Sequence, residues 1–92
     1  MSAPPAVSRE AIEATLREAL QPAALEVRDD SHLHAGHAGA REGRHFNVRI
    51  TSARFTGCSR VARHRLVYDA LRLLMPAGIH ALAIEAHAPD EP

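Results

Sequence analysis

Apolar and polar residues follow two different rhythms along this chain. From Ser8 onward, Ile12, Leu16, Ala19 and Leu20 recur at helical spacing and form one apolar stripe. Ser8 is a natural N-cap for that helix, and Val7 and Ile12 on either side of it can form a hydrophobic staple. Glu13 and Arg17 make a favourably oriented i, i+4 pair, and Pro22 ends the helix near Gln21. The period then drops to two. Leu25 and Val27 alternate with Glu26 and Arg28, and Phe46, Val48 and Ile50 alternate with Asn47, Arg49 and Thr51. Each run reads as a half-buried strand, and the two are expected to pair antiparallel. Residues 30–43 between them contain Gly36, Gly39 and Gly43 and no period, as in a long exposed loop.

Thr56-Gly57 breaks the chain again, and Ser59 is placed to cap a helix expected from Arg60 to Met75. Leu66, Val67, Ala70, Leu71, Leu73 and Leu74 give it a wide apolar face. Arg63 projects from the centre of that face one turn earlier, with His64 at its edge. Pro76 and Gly78 stop the helix, and Leu82 and Ile84 mark a third strand ending near His87. The order α-β-β-α-β predicts an α/β fold of the α+β kind. Its three-stranded mixed sheet is covered by helices on one face, and a right-handed crossover joins strands two and three. The expected boundaries are a lead-in over 1–7, one domain over 8–88 and a polar tail over 89–92.

Composition narrows the function classes. A chain of 92 residues forms one domain and buries a modest core. Eleven basic and eleven acidic side chains cancel, so net charge supplies no general attraction to nucleic acid or membrane. No apolar run is long enough to span a bilayer, and the first nine residues lack the regions of a secretory signal. Three aromatic residues, Phe46, Phe55 and Tyr68, are too few for a base-stacking platform. The single cysteine, Cys58, forms no intramolecular disulfide and suggests a reducing, cytoplasmic setting. It stands just before a helix N-terminus, where a thiolate is stabilised, but no pattern gives it a role. For an enzyme there is no nucleophile elbow, no phosphate-binding loop and no paired carboxylates with a base.

Histidine changes the picture. There are seven, and His32, His34 and His37 fall within six residues of the long loop. Neutral imidazole is the commonest metal ligand. Exposed loop histidines also often do no more than titrate, and such tracts bind Zn²⁺, Cu²⁺ or Ni²⁺ adventitiously. The spacing His34-x-x-His37 has no second ligand pair to complete a zinc site. His80 shares parity with Leu82 and Ile84, which places it on the core face of the third strand as a partly buried histidine.

Several short motifs, in order and at matching spacing, resemble the BolA family over nearly the whole chain. They are Leu25-Glu26-Val27, Asp30-Ser31, His45-Phe46, Phe55-Thr56-Gly57, Arg63-His64-Arg65 and His80-Ala81-Leu82. The resemblance implies a fold like the type II KH domain. It also implies a partner, a monothiol glutaredoxin, with which such proteins share a bridging [2Fe–2S] cluster. A cysteine and glutathione hold the cluster on the glutaredoxin side. The ligand expected on this side is the histidine before the last strand, which matches His80. A loop histidine aids it; His34 fits best and His37 is the alternative. With no cysteine in the loop, the chain looks like the His-type branch. Homodimers are also compatible with this picture.

Two other classes compete. A KH-like fold invites DNA binding by a transcription regulator, with Arg60, Arg63 and Arg65 as contacts. The clamp loop of a KH domain carries two glycines, whereas Gly57-Cys58-Ser59-Arg60 has one. Arg63, from its position on the wheel, is also suited to tying the helix to loop carbonyls or an acid. The remaining class is a simple metal binder built on the loop histidines alone.

Overall fold

A computed structural model describes residues 7–30, 44–77 and 79–91, the side chains of residues 44, 77 and 80 excepted. Helix α1 spans Arg9–Leu20 and starts as expected. Ser8 Oγ accepts from the Ala11 amide at 3.1 Å, and Val7 and Ile12 are both buried. Its end is set by Gln21, in the left-handed region at φ 46°, followed by Pro22. The ion pair of Glu13 forms with Arg9 at 3.5 Å instead of the expected Arg17. Both arginines lie one turn from Glu13, and at an exposed helix surface the choice carries little energy.

Strands β1 (Ala24–Asp29) and β2 (Arg44–Thr51) pair antiparallel, and β3 (Ile79–His87) pairs parallel to β2. The sheet order is β1-β2-β3, so both β1 and β3 are edges. Helix α2 (Arg60–Ala70) forms the crossover and is capped by Ser59 Oγ, which accepts from the Ala62 amide at 3.1 Å. It is shorter than expected. The chain leaves it through turns at 71–74 and a 3₁₀ turn at Met75–Ala77. Pro76 has no amide to continue the helical ladder and disfavours a helical residue before it, so its effect reaches back about one turn. Leu73, expected on the apolar face, is consequently 79% exposed.

Both helices lie on one face of the sheet. Ile12, Leu16 and Leu20 of α1 and Val67 of α2, followed by Leu71, meet Val27, Phe46, Val48, Ile50 and Ile79 of the sheet, with Phe55 closing the core. Ser52 is the only buried polar residue among those described. Its hydroxyl donates to the Leu20 carbonyl at 2.7 Å and accepts from the Arg54 amide at 3.1 Å, which joins the end of α1 to the end of β2. Gly57 sits at φ +77° with nothing near a would-be Cβ, so backbone conformation alone calls for glycine there. The other face of the sheet is polar: Arg49 lies opposite Glu85 on the neighbouring strand and pairs with it at 2.8 Å.

Candidate functional site

Parallel pairing of β2 and β3 brings two chain positions to one end of the sheet. Here the chain leaves β1 after Asp29 and re-enters the sheet at Arg44, and here β3 begins at Ile79. The register is irregular at this point. Arg44 pairs with Ile79 and His45 pairs with Ala81, so one step on β2 spans two on β3. His80 is the extra residue of this bulge-like step in the backbone register. The parity of Leu82 and Ile84 does not carry across it. On the far side the buried residue is Ile79, 7% exposed, so burial along β3 does not follow one simple alternation; the side chain of His80 lies outside those described. His45, which has no assigned role in the sequence reading, stands directly beside this step.

The loop histidines His32, His34 and His37 lie outside the described residues. Among the described residues, no group of three or more His, Cys, Asp or Glu could hold a metal ion, and no helix is long and apolar enough to cross a membrane.

A second feature lies toward the opposite end of β3. An open groove of about 490 Å³ runs between the leading end of α2, with Cys58, Arg60, Arg63 and His64, and the edge residues Ile84 and Ala86. Arg60 and Arg65 are exposed on α2, as expected of surface cations. Arg63 is not. Its Nε donates to the Cys58 carbonyl at 2.9 Å and its Nη1 to the Ala86 carbonyl at 3.2 Å. Both terminal nitrogens grip the Glu91 carboxylate at 2.6 Å. Only 12% of the side chain is exposed, so Arg63 is withdrawn from the set of candidate phosphate contacts. Its partner Glu91, expected in a polar tail, also accepts from the Ala88 amide at 2.9 Å. The Arg63 hydrogen bonds, helped by that amide, pull the Glu91 carboxyl down to about 2. Glu85 is lowered as well, first by the hydrogen bond from His87 and then by the charge of Arg49.

Sequence reasoning missed the Glu91 end of this clamp. An acid 28 residues beyond Arg63 has no periodic relation to it, and the only available signal was the need of a centrally placed arginine for an anion.

Comparison with known proteins gives these features a context. The pattern of the BolA-like protein family matches residues 16–91. An uncharacterized protein of Sinorhizobium sp, from the 5′ region of cobS, is 50% identical over 90% of this chain and 92% of its own length. The chloroplastic protein BOLA1 of Arabidopsis thaliana is 45% identical over 83% of this chain and half of its own length. The DNA-binding transcriptional regulator BolA of Escherichia coli is 42% identical over 90% of this chain and 77% of its own. Among solved structures, the BolA domain of SufE1 from Arabidopsis thaliana superposes with a TM-score of 0.80 at 48% identity, covering 91% of this chain and 94% of that one. The chain thus spans nearly all of some relatives and only part of others. A relative named for the chloroplast overturns the cytoplasmic expectation. A lone unpaired thiol separates reducing from oxidising surroundings but does not distinguish one reducing compartment from another.

Proposed function

This chain belongs to the BolA family, and we propose that it is a non-enzymatic adaptor that binds a monothiol glutaredoxin and shares a [2Fe–2S] cluster with it. The observation that carries the reading is the irregular start of β3. It sets His80 at the sheet end where the chain leaves β1 and returns to β2. A cluster bound here takes His80 as one ligand and His34 as the second, with His37 as the alternative, and draws the remaining ligands from glutaredoxin and glutathione. The donor chemistry fits: imidazole ligates [2Fe–2S] iron in place of thiolate, and the lost negative charge raises the reduction potential. Imidazole must be neutral to bind, so sharing weakens as the pH falls below about 6.5. Ligands divided between two proteins make the cluster a cargo that either side can release.

The test is anaerobic reconstitution with a monothiol glutaredoxin, glutathione, iron and sulfide, followed by visible absorption and circular dichroism. A spectrum distinct from that of glutaredoxin alone, reverting with His80→Ala and altered by His34→Ala, is expected. A spectrum indifferent to the protein and to both substitutions would sink the reading. A second reading, DNA binding, is favoured by the groove beside Arg60 and by the relative named as a DNA-binding regulator. It requires affinity that falls steeply with salt and is lost on Arg60→Ala but kept on His80→Ala.

A further inference from the structure

The described residues expose three large apolar side chains, Val61 at 61%, Tyr68 at 41% and Leu73 at 79%, and all three belong to α2 and the turn that follows it. Isolated exposed apolar residues are ordinary, but these are not scattered. Val61, Arg65 and Tyr68 recur at i, i+4 and i+7 and form one outward stripe about 10 Å long. Arg72 stands a turn further on. Neither Arg65 nor Arg72 has a carboxylate partner among the described residues, although the acids and bases of the whole chain balance. Arg72 donates only to the Asp69 carbonyl, at 3.3 Å.

We propose that this outward face of α2 is a docking strip for a segment of a partner protein in which carboxylates flank an apolar anchor. Each part of the strip asks for that chemistry. A guanidinium fork is shaped to take a carboxylate with two parallel hydrogen bonds. Tyrosine and arginine dominate the energetic centres of protein interfaces. Val61, on the stripe itself, gains only if apolar surface covers it. A nucleic-acid backbone would satisfy the two arginines and leave Val61 in water. The strip also has a direction. Arg63 reaches the Ala86 carbonyl and the Tyr68 hydroxyl approaches the Leu82 carbonyl at 3.5 Å, so α2 runs back along β3 towards its start. A partner lying on the strip therefore extends towards the end of the sheet that carries His80. The strip itself uses none of the histidines and stands whether or not a cluster binds there.

The test is fluorescence anisotropy with the full chain and three labelled probes: an amphipathic Leu/Glu peptide, poly-glutamate of the same charge, and a short DNA duplex. The expected result is saturable binding of the Leu/Glu peptide at least about tenfold tighter than either other probe. Tyr68→Ala and Arg65→Glu should each weaken it about tenfold or more. Val61→Asp, at a solvent-exposed position that leaves the fold intact by far-UV circular dichroism, should do the same. Equal binding of the peptide and poly-glutamate, tighter binding of the duplex, no binding of the peptide, or peptide binding unmoved by Arg65→Glu and Val61→Asp would each overturn the proposal.

Discussion

Replacing Ile79 by alanine tests the register on which the candidate site depends. Simple alternation from Leu82 and Ile84 would put residue 80 inwards and residue 79 outwards. The irregular step between β2 and β3 instead buries Ile79 to 7% exposure. Ile79→Ala removes three carbon groups. At about 0.8 kcal/mol for each buried group the transfer loss is about 2.4 kcal/mol. A residual cavity raises the cost, but a strand start can relax around the gap, so the total belongs in the lower half of the range for such truncations, about 2–3.5 kcal/mol. For a domain of this size each kcal/mol lowers the melting temperature by about 4–8 °C, so a drop of about 8–28 °C is expected. Urea unfolding followed by far-UV circular dichroism, with an unchanged m-value, measures the loss directly. Leu73→Ala is the control: at 79% exposure it should shift stability by no more than about 0.5 kcal/mol. If Ile79→Ala costs no more than Leu73→Ala, residue 79 is not in the core and the irregular step is refuted.

Other expectations follow from the contacts around the sheet. Glu91 is held at about 2 when folded against an ordinary 4.5. Between these values the unfolded chain binds the proton and the folded chain does not. The clamp's contribution is therefore complete above pH 4.5 and disappears as the pH falls towards 2. Urea midpoints measured across that window should fall less steeply for Glu91→Gln than for the wild type, and parallel curves would count against the clamp. Ser52→Ala leaves the Leu20 carbonyl and the Arg54 amide without their partner in a buried site, at a cost of about 1–3 kcal/mol. The same unfolding assay reads it, and a loss below about 0.5 kcal/mol would mean that other groups or water replace the hydroxyl.

The elements were legible where a single period governed them. Leu25 and Val27, then Phe46, Val48 and Ile50, announce strands because one face of each is buried and the other is not. Ser8 and Ser59 announce helix starts because a hydroxyl before an apolar stripe satisfies a free amide. The end of α2 was hidden because Leu73 and Leu74 extend the apolar pattern, while the backbone constraint from Pro76 acts from beyond it. The step at His80 was hidden because alternation carries no mark where an extra residue is accommodated. The candidate ligands were legible only through the resemblance to a family, since histidines in a loop and a histidine at a strand start look ordinary by themselves. Arg63 shows the opposite case. Its place in the middle of an apolar face marked it as tethered, and the structure supplies the carbonyls and the acid that tether it.

The placing of β3 beyond β2 has a consequence for the order in which the molecule assembles. Pairs between β1 and β2 close over short stretches of chain, with Asp29 and Phe46 only 17 residues apart. Phe46 and Leu82 are 36 residues apart, and the whole of α2 must be laid down between them. Closing that longer loop costs more entropy before any contact repays it, and non-local pairing of this kind slows folding. The hairpin is therefore expected to form early and β3 to dock late, so that the segment carrying His80 takes its place only when the rest of the sheet is ready to receive it.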